Sequence, residues 1–340
     1  MGTNNFPMIR LIQIKKGNAR CVAVVEEPYL RLLGGCSSIY ALAHTAIAAR
    51  MKLTEAVRQR ATPDVLEYDA VYRSGSDWRV LPAIDHPEDP AHCLVSGTGL
   101  THLGSASDRQ NMHAATGEAL TDSMKMFRWG IEGGRPAAGK IGTAPEWFYK
   151  GTGAILRGHG EALEVPAYAE DGGEEAEIAG AYMIDSQGRP RRIGMAMGNE
   201  FSDHCFEKRN YLNLAGSKLR SCALGPELVL DPDFQSVAGQ VSIEREGIVL
   251  WSKHLRTGES EMCHSLQNIE HHQFKFEGHR RPGDVHVHFF GADCLSFGEG
   301  IQLVDGDVMQ VSFEGFGRPL RNPLRAAKAA PVLVEVLPLA

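Results

Sequence analysis

The sequence predicts an α+β protein, with a small α+β N-terminal domain followed by a larger, mostly β barrel or sandwich carrying a few helices. Three observations predict it. The segment Asp85-His86-Pro87-Glu88-Asp89-Pro90 is polar and holds two prolines, as a linker does. Before it, an Ala-rich helical stretch follows two short strand-like runs. After it come short β-branched or aromatic runs separated by Gly and Pro.

In chain order, Ile9–Ile14 and Arg20–Val25 read as strands around the Lys16-Gly17-Asn18 turn. Ser38–Arg50, capped by Ser37 or Ser38, reads as a helix, and Thr54–Gln59 as a second. Beyond the linker, Phe148–Leu156, Ala176–Ile184, Val241–Trp251, Val285–Phe290 and Val308–Glu314 are the strand runs. Helices are expected over Ala114–Trp129 and Glu261–Phe274. The stretch Ala329–Ala340 is apolar and contains proline; it reads as an arm packed on a neighbour. The expected division is therefore residues 1–90, 91–330 and a C-terminal arm, 331–340.

Composition narrows the function classes. At 340 residues, 43% hydrophobic and 23% charged, the chain can bury a large core without disulfide staples. A net charge of −7 argues against nucleic acid as a partner, since such proteins present a basic face to phosphates. The Arg189, Arg191, Arg192 cluster is expected to be a solvated turn. Seven cysteines without a CxxC pair fit neither a disulfide framework nor a thiolate zinc site. No secretory signal is read at the N-terminus, and no apolar run approaches the ~20 residues of a membrane helix. The expectation is a cytoplasmic protein with no membrane partner.

The run Glu174-Glu175-Ala176-Glu177 leads into the apolar stretch Ile178–Ile184. Side chains alternate along a strand, so Glu175 and Glu177 share a face. Two carboxylates at the mouth of a buried strand repel unless a cation lies between them, and oxygen-only ligation suits Mg²⁺ or Mn²⁺. A solvated acidic loop is the competing reading of that spacing. Further on, Glu200 in Met197-Gly198-Asn199-Glu200-Phe201-Ser202 offers a third carboxylate. Lys218 offers a proton-transfer group whose pKa is expected to fall in a partly dry pocket beside a metal. Taken singly, Glu200 and Lys218 read as ordinary surface residues.

Taken in order, these motifs resemble the fumarylacetoacetate hydrolase superfamily over Leu94–Pro323. Pro145-Glu146-Trp147-Phe148-Tyr149-Lys150-Gly151 resembles its Pro-x-x-Phe-x-Lys segment. Glu175 and Glu177 match its Glu-x-Glu metal pair, and Asn199-Glu200 its Asn-Asp. Arg281–Val285, Asp305–Met309 and Gly317–Pro323 resemble its C-terminal signature. The resemblance implies a mixed β-roll with a small N-terminal domain, a homodimer, and a metal on Glu175, Glu177 and Glu200.

Within that superfamily the chain looks most like the branch that dehydrates 2-keto-3-deoxy sugar acids. Gly99-Leu100-Thr101-His102 stands for its Gly-Val-Thr-Tyr, and Asn210–Leu214, Gly216-Ser217-Lys218 and Ala223–Pro226 resemble its later segments. Glu200 stands where Asp is usual, and His204-Cys205 where Arg-Asp is usual. The implied reaction turns a 2-keto-3-deoxypentonate into 2,5-dioxopentanoate, with Lys218 and then Lys150 for proton transfer. Thr101, Ser202 and Asn199 are the expected substrate contacts, for which local backbone capping is the competing role of the hydroxyls.

Other readings stay open. A lid histidine, His102 or His113, would serve a C–C hydrolase of 2,4-diketo acids. A His286-x-His288 pair with Asp293 partly matches a cupin metal motif, although strand histidines lining the substrate pocket or its entrance explain it as well. A non-catalytic sugar-acid sensor on the same fold is a third reading.

Overall fold

The computed structural model describes residues 8–104, 106 and 121–339. The first strands, β1 (Arg10–Lys16), β2 (Ala19–Glu26) and β3 (Tyr29–Leu33), form a meander. Helices Ile39–Ala48 and Leu53–Arg60 follow, the first capped by the Ser38 side chain, then β4 (Ala61–Glu67), helix Tyr68–Tyr72 and β5 (Arg79–Val80). Beyond the polar segment lie β6 (Cys93–Thr98), helix Asp122–Gly133, β7 (Trp147–Thr152), β8 (Leu156–Arg157) and β9 (Leu163–Val165). Next come β10 (Ala176–Ile184), β11 (Pro190–Asn199), helices His204–Arg209 and Leu214–Lys218, β12 (Cys222–Leu224) and β13 (Leu228–Val229). The chain continues with β14 (Val237–Arg245), β15 (Ile248–Thr257), helix Leu266–Phe274, β16 (Val285–Phe289), β17 (Val308–Phe313) and β18 (Leu320–Ala326).

These strands form two mixed sheets. The larger runs β4-β3-β2-β1-β13-β11-β10-β16-β6-β7, with β5, β8 and β12 attached at its sides. The smaller runs β15-β14-β17-β18-β9. Neither closes into a barrel, so the α+β class with mixed sheets stands and the barrel alternative does not. The first segment is continuous with the rest, because β1 pairs antiparallel with β13. Buried Glu227 pins the same seam: it meets Arg10 at 3.0 Å, accepts from the Tyr68 hydroxyl at 2.8 Å and from the Arg318 amide at 3.0 Å.

β10 sits in the middle of the larger sheet between β11 and β16, and all nine of its residues are buried. That is why its sequence is apolar on both faces. One face, with Ala179, Ala181, Met183, Val285 and Val287, packs on the helices Ile39–Ala48 and Leu53–Arg60. The other face meets the smaller sheet through Ile178, Val241, Ile243 and Val311.

Two sequence expectations shift. The run Val241–Trp251 is two strands of a hairpin, β14 and β15, because Glu246 and Gly247 both take positive φ (52° and 79°). Two such residues make a tight hairpin turn. The helix expected over Ala114–Trp129 spans Asp122–Gly133, capped by Thr121; residues 114–120 lie outside the described residues. No helix among the described residues is long and apolar enough to cross a membrane.

Candidate metal centre

The acidic residues come together through strand pairing. Beyond the β10–β11 pair Ala176↔Asn199, the ribbon continues: the Glu200 amide donates to Glu175 O at 2.9 Å, and Gly173 and Ser202 exchange hydrogen bonds of 3.0 and 3.1 Å. Residues opposite each other in a ladder share a face, so Glu175 and Glu200 point the same way, with Glu177 two residues along. The result is a group of buried carboxylates, Glu175, Glu177 and Glu200, each offering an oxygen within 4.8 Å of the others.

Such a group is electrostatically costly. Two full charges 4.8 Å apart repel by about 3.5 kcal/mol at an effective dielectric near 20. Two buried ammonium groups offset part of this. Lys150 on β7 donates to Glu200 Oε1, and to the carbonyls of Phe201 and Lys218 at 3.0 Å each. Lys218, ending its short helix, donates to Glu175 Oε1 and Glu200 Oε2 at 2.6 Å and to the Ser202 hydroxyl at 2.9 Å. Glu177 gets less: among the described residues its hydrogen-bond donor is the Gly291 amide, at 2.7 Å.

The protonation preferences follow. Burial raises Glu175, but Lys218 and His204 outweigh it and hold the carboxyl well below the usual range. Burial, then the charges of Glu200 and Glu175, push Glu177 well above that range. Glu200 is also raised, by burial and Glu175, against the pull of Lys150 and Lys218. Burial disfavours the Lys218 cation, yet Glu175 and Glu200 overcome it and raise Lys218 well above the usual lysine value. Without a metal, the carboxylates that make the site attractive to a cation also hold this lysine charged, the opposite of the fall expected beside a bound metal. Lys150, Lys218 and His204 all contact Glu175 or Glu200, and the raised Glu177 is the carboxylate they leave uncompensated. A hard divalent cation fits that oxygen donor set.

The remaining site residues divide between the pocket and its frame. The Ser202 hydroxyl lies 3.0 and 3.1 Å from the Glu200 oxygens, inside the cluster. Asn199 is frame: its side-chain oxygen accepts from the Glu175 and Phe201 amides at 3.1 and 3.2 Å. In this way it holds the bend that presents Glu175 and Glu200. Thr101 likewise donates to Phe290 O at 2.7 Å, and Phe290 directly precedes the Gly291 that serves Glu177. His102 is fully buried between Thr101 (2.9 Å) and Thr257 (2.8 Å), and burial pushes its pKa down to about 3. An imidazole of that kind is a weak base at neutral pH. His113 lies outside the described residues.

His286 and His288 do not line this pocket. In β16 they oppose Tyr182 and Gly180 of β10, on the face away from Glu177, beside Gln273 and Phe274 of the helix Leu266–Phe274. The alternation that pairs them also turns them away, since Val285, Val287 and Phe289 take the other face. Asp293 accepts from the Arg256 amide instead. The cluster Arg189, Arg191, Arg192 is a set of ion pairs: the first two hold Asp185 and the third holds Glu270.

Sequence reasoning passed over several residues. Glu174, in the same acidic run but on the other side, accepts from the Ser296 amide and hydroxyl at 2.8 and 2.7 Å. Asp203 caps the helix His204–Arg209 and pairs with buried Arg220 at 3.0 Å. The Gly291 amide carries no side-chain signal at all. Two surface clefts, of about 310 and 630 Å³, meet at Arg192 and include none of the three carboxylates.

No family-wide sequence profile matches the chain. The chain is 26% identical over 266 residues to the 2-dehydro-3-deoxy-D-arabinonate dehydratase of Saccharolobus solfataricus, covering 74% of this chain and 77% of that protein. The solved apo 2-keto-3-deoxy-D-arabinonate dehydratase superposes with a TM-score of 0.69 at 19% identity, over 94% of this chain and all of that one. The chain shares the fold of that dehydratase. The same dehydratase complexed with magnesium and 2,5-dioxopentanoate superposes at 0.68, again at 19% identity over 94% of this chain and 100% of that one. A 2-hydroxyhepta-2,4-diene-1,7-dioate isomerase from Mycobacterium marinum superposes less closely, at 0.57 and 17% identity with the same coverage. The resemblance read from the motifs thus agrees with both kinds of comparison.

Proposed function

We propose that the protein is a Mg²⁺- or Mn²⁺-dependent hydro-lyase acting on a 2-keto-3-deoxy sugar acid, with a 2-keto-3-deoxypentonate as substrate and 2,5-dioxopentanoate as product. The observation that carries this reading is the buried carboxylate triad with Glu177 left uncompensated, in a chain similar to a dehydratase over 74% of its length. Glu175, Glu177 and Glu200 would hold the metal, which when bound supplies Lewis-acid polarisation of the 2-keto group and so acidifies the C3 protons. A cationic Lys218 suits the acid's part, giving a proton to the C4 hydroxyl as it leaves. That proton and the departing hydroxyl make the one water, the proton lost from C3 restores Lys218, and the resulting C3–C4 enone tautomerises to 2,5-dioxopentanoate. Lys150, with all three of its N–H donors engaged, pulls Glu200 toward its ionised form and holds it in register. Ser202 touches both Lys218 and Glu200 and is the hydroxyl best suited to meet substrate.

The test is a proton NMR time course with racemic 2-keto-3-deoxypentonate and Mg²⁺, with and without EDTA. Metal-dependent 2,5-dioxopentanoate supports the reading. No conversion, together with cleavage of a 2,4-diketo acid, overturns it in favour of the C–C hydrolase; inertness toward both leaves the sensor.

Two finer statements belong to the same proposal. Seven free cysteines, Cys36, Cys93, Cys222, Cys263 and Cys294 among them buried, suit a reducing cytoplasm. Residues Val332 to Leu337 include five large apolar side chains, each at least 74% exposed, which a second copy of the chain in a homodimer would cover. Light scattering on the intact chain and on one ending at Lys328 checks this; an unchanged mass overturns it.

A further inference from the structure

His204 stands where the resembled family has arginine, and its surroundings are specific. Its Nε2 lies 3.1 Å from Glu175 Oε1, and the ring is 5% exposed, packed against Phe297 with centroids 5.2 Å apart. Its other nitrogen, Nδ1, is buried without a partner. A Cβ added at Gly173 would come within 2.4 Å of that Nδ1 and 2.6 Å of Cε1, so the ring occupies the space that only a glycine leaves. Gly173 is itself fixed, by its two backbone hydrogen bonds to Ser202.

We infer that His204 is a positioning residue for Glu175, and that Gly173 is glycine because His204 needs its space. Glu175 Oε1 accepts from the Lys218 ammonium, so the imidazole meets it with an N–H on Nε2. Lys218 donates to the same oxygen, Oε1, at 2.6 Å. Two donors on Oε1 fix the carboxylate plane and leave Oε2 as the oxygen presented to a cation. A partner of this type orients a ligand and typically alters metal affinity 10–100-fold when removed. The inference rests on the proposed metal role of Glu175 and names the residues that tune it.

The test reads metal binding directly, by EPR titration of free Mn²⁺ against the purified protein without substrate. His204→Phe keeps the bulk and loses the donor; Mn²⁺ affinity is expected to fall about 10-fold or more. His204→Gln restores an N–H at a similar reach and should stay within about 3-fold of the parent. Gly173→Ala approaches the same contact from the backbone side and should weaken binding like His204→Phe. The double variant His204→Ala with Gly173→Ala should be no weaker than His204→Ala alone, because the alanine then has nothing to displace. Circular dichroism confirms that each variant is folded. A parent that binds no Mn²⁺ overturns the metal reading together with this inference. A parent that binds, with His204→Phe and Gly173→Ala binding equally well, overturns this inference alone.

Discussion

The larger sheet carries a buried polar cluster on each face, and the two are built on opposite principles. On one face, Glu175, Glu177 and Glu200 outnumber Lys150 and Lys218, and the imbalance is stored as a raised Glu177. On the other face the cluster is neutral, with each histidine Nδ1 partnered and each Nε2 buried without a partner. Trp147 Nε1, which can only donate, gives its hydrogen to Gln273 Oε1 at 2.8 Å. That orients the amide so that Gln273 Nε2 donates to His286 Nδ1 at 3.1 Å, leaving the proton of His286 on Nε2. Ser96 donates to Gln273 Oε1 at 3.2 Å and therefore accepts from His288 Nδ1 at 2.8 Å, which leaves His288 Nε2 bare. A charge-imbalanced cluster invites a cation; a neutral, tautomer-locked one resists it, although both are equally buried.

The largest expected effect breaks the first cluster. Glu177→Gln should lower turnover at least 10³-fold and abolish tight Mn²⁺ binding, read by initial rates and EPR. The same change removes like-charge repulsion, so the metal-free variant should unfold at higher temperature than the parent in calorimetry. Lys150→Met comes next. It removes one of the two ammonium partners of Glu200 and the donor to two buried carbonyls, and should cost about 3–5 kcal/mol in urea unfolding, as a broken buried ion pair does.

Acid sharpens the contrast on the histidine side. Burial depresses His286 and His288 to about 3, below the unfolded value near 6.5. Between those values the unfolded chain binds protons that the folded chain does not. Their contribution is therefore intact above pH 6.5 and declines as pH falls toward 3. At pH 5 each should cost about 2 kcal/mol relative to pH 7. Replacing His288 by Phe should flatten the acid limb of unfolding free energy by that amount, and an unchanged slope would refute the buried neutral assignment. The smallest effect is spectroscopic: ¹⁵N correlation spectra should show His286 protonated at Nε2 and His288 at Nδ1.

The two faces also differ in how legible they were. Ala176–Ile184 was read from sequence with the bounds that β10 has, because an apolar run ended by charge and turn residues leaves little freedom. The triad was readable because strand alternation fixes Glu175 and Glu177, and family order supplied Glu200. The direction of the Lys218 shift was not readable, since it depends on two carboxylates arriving from other segments. His286 and His288 were put in the pocket because alternation says that two residues share a face but not which face. Glu246-Gly247 hid a hairpin inside one apolar run, a turn visible only in its positive φ angles.

The seam between β1 and β13 bears on how the molecule is made. Arg10 and Leu11 find their partners, Val229 and Leu228, on the order of 200 residues later in the chain, and Glu227 joins Arg10 across the same seam. At ribosomal speeds of about 5–20 residues per second, the opening meander waits roughly ten to forty seconds before its neighbour strand has been synthesised. Through that interval the inner edge of β1 is an open row of amides and carbonyls beside the apolar side chains of Leu11 and Ile12. A nascent chain in this state is a natural client for a chaperone that shields hydrophobic strands.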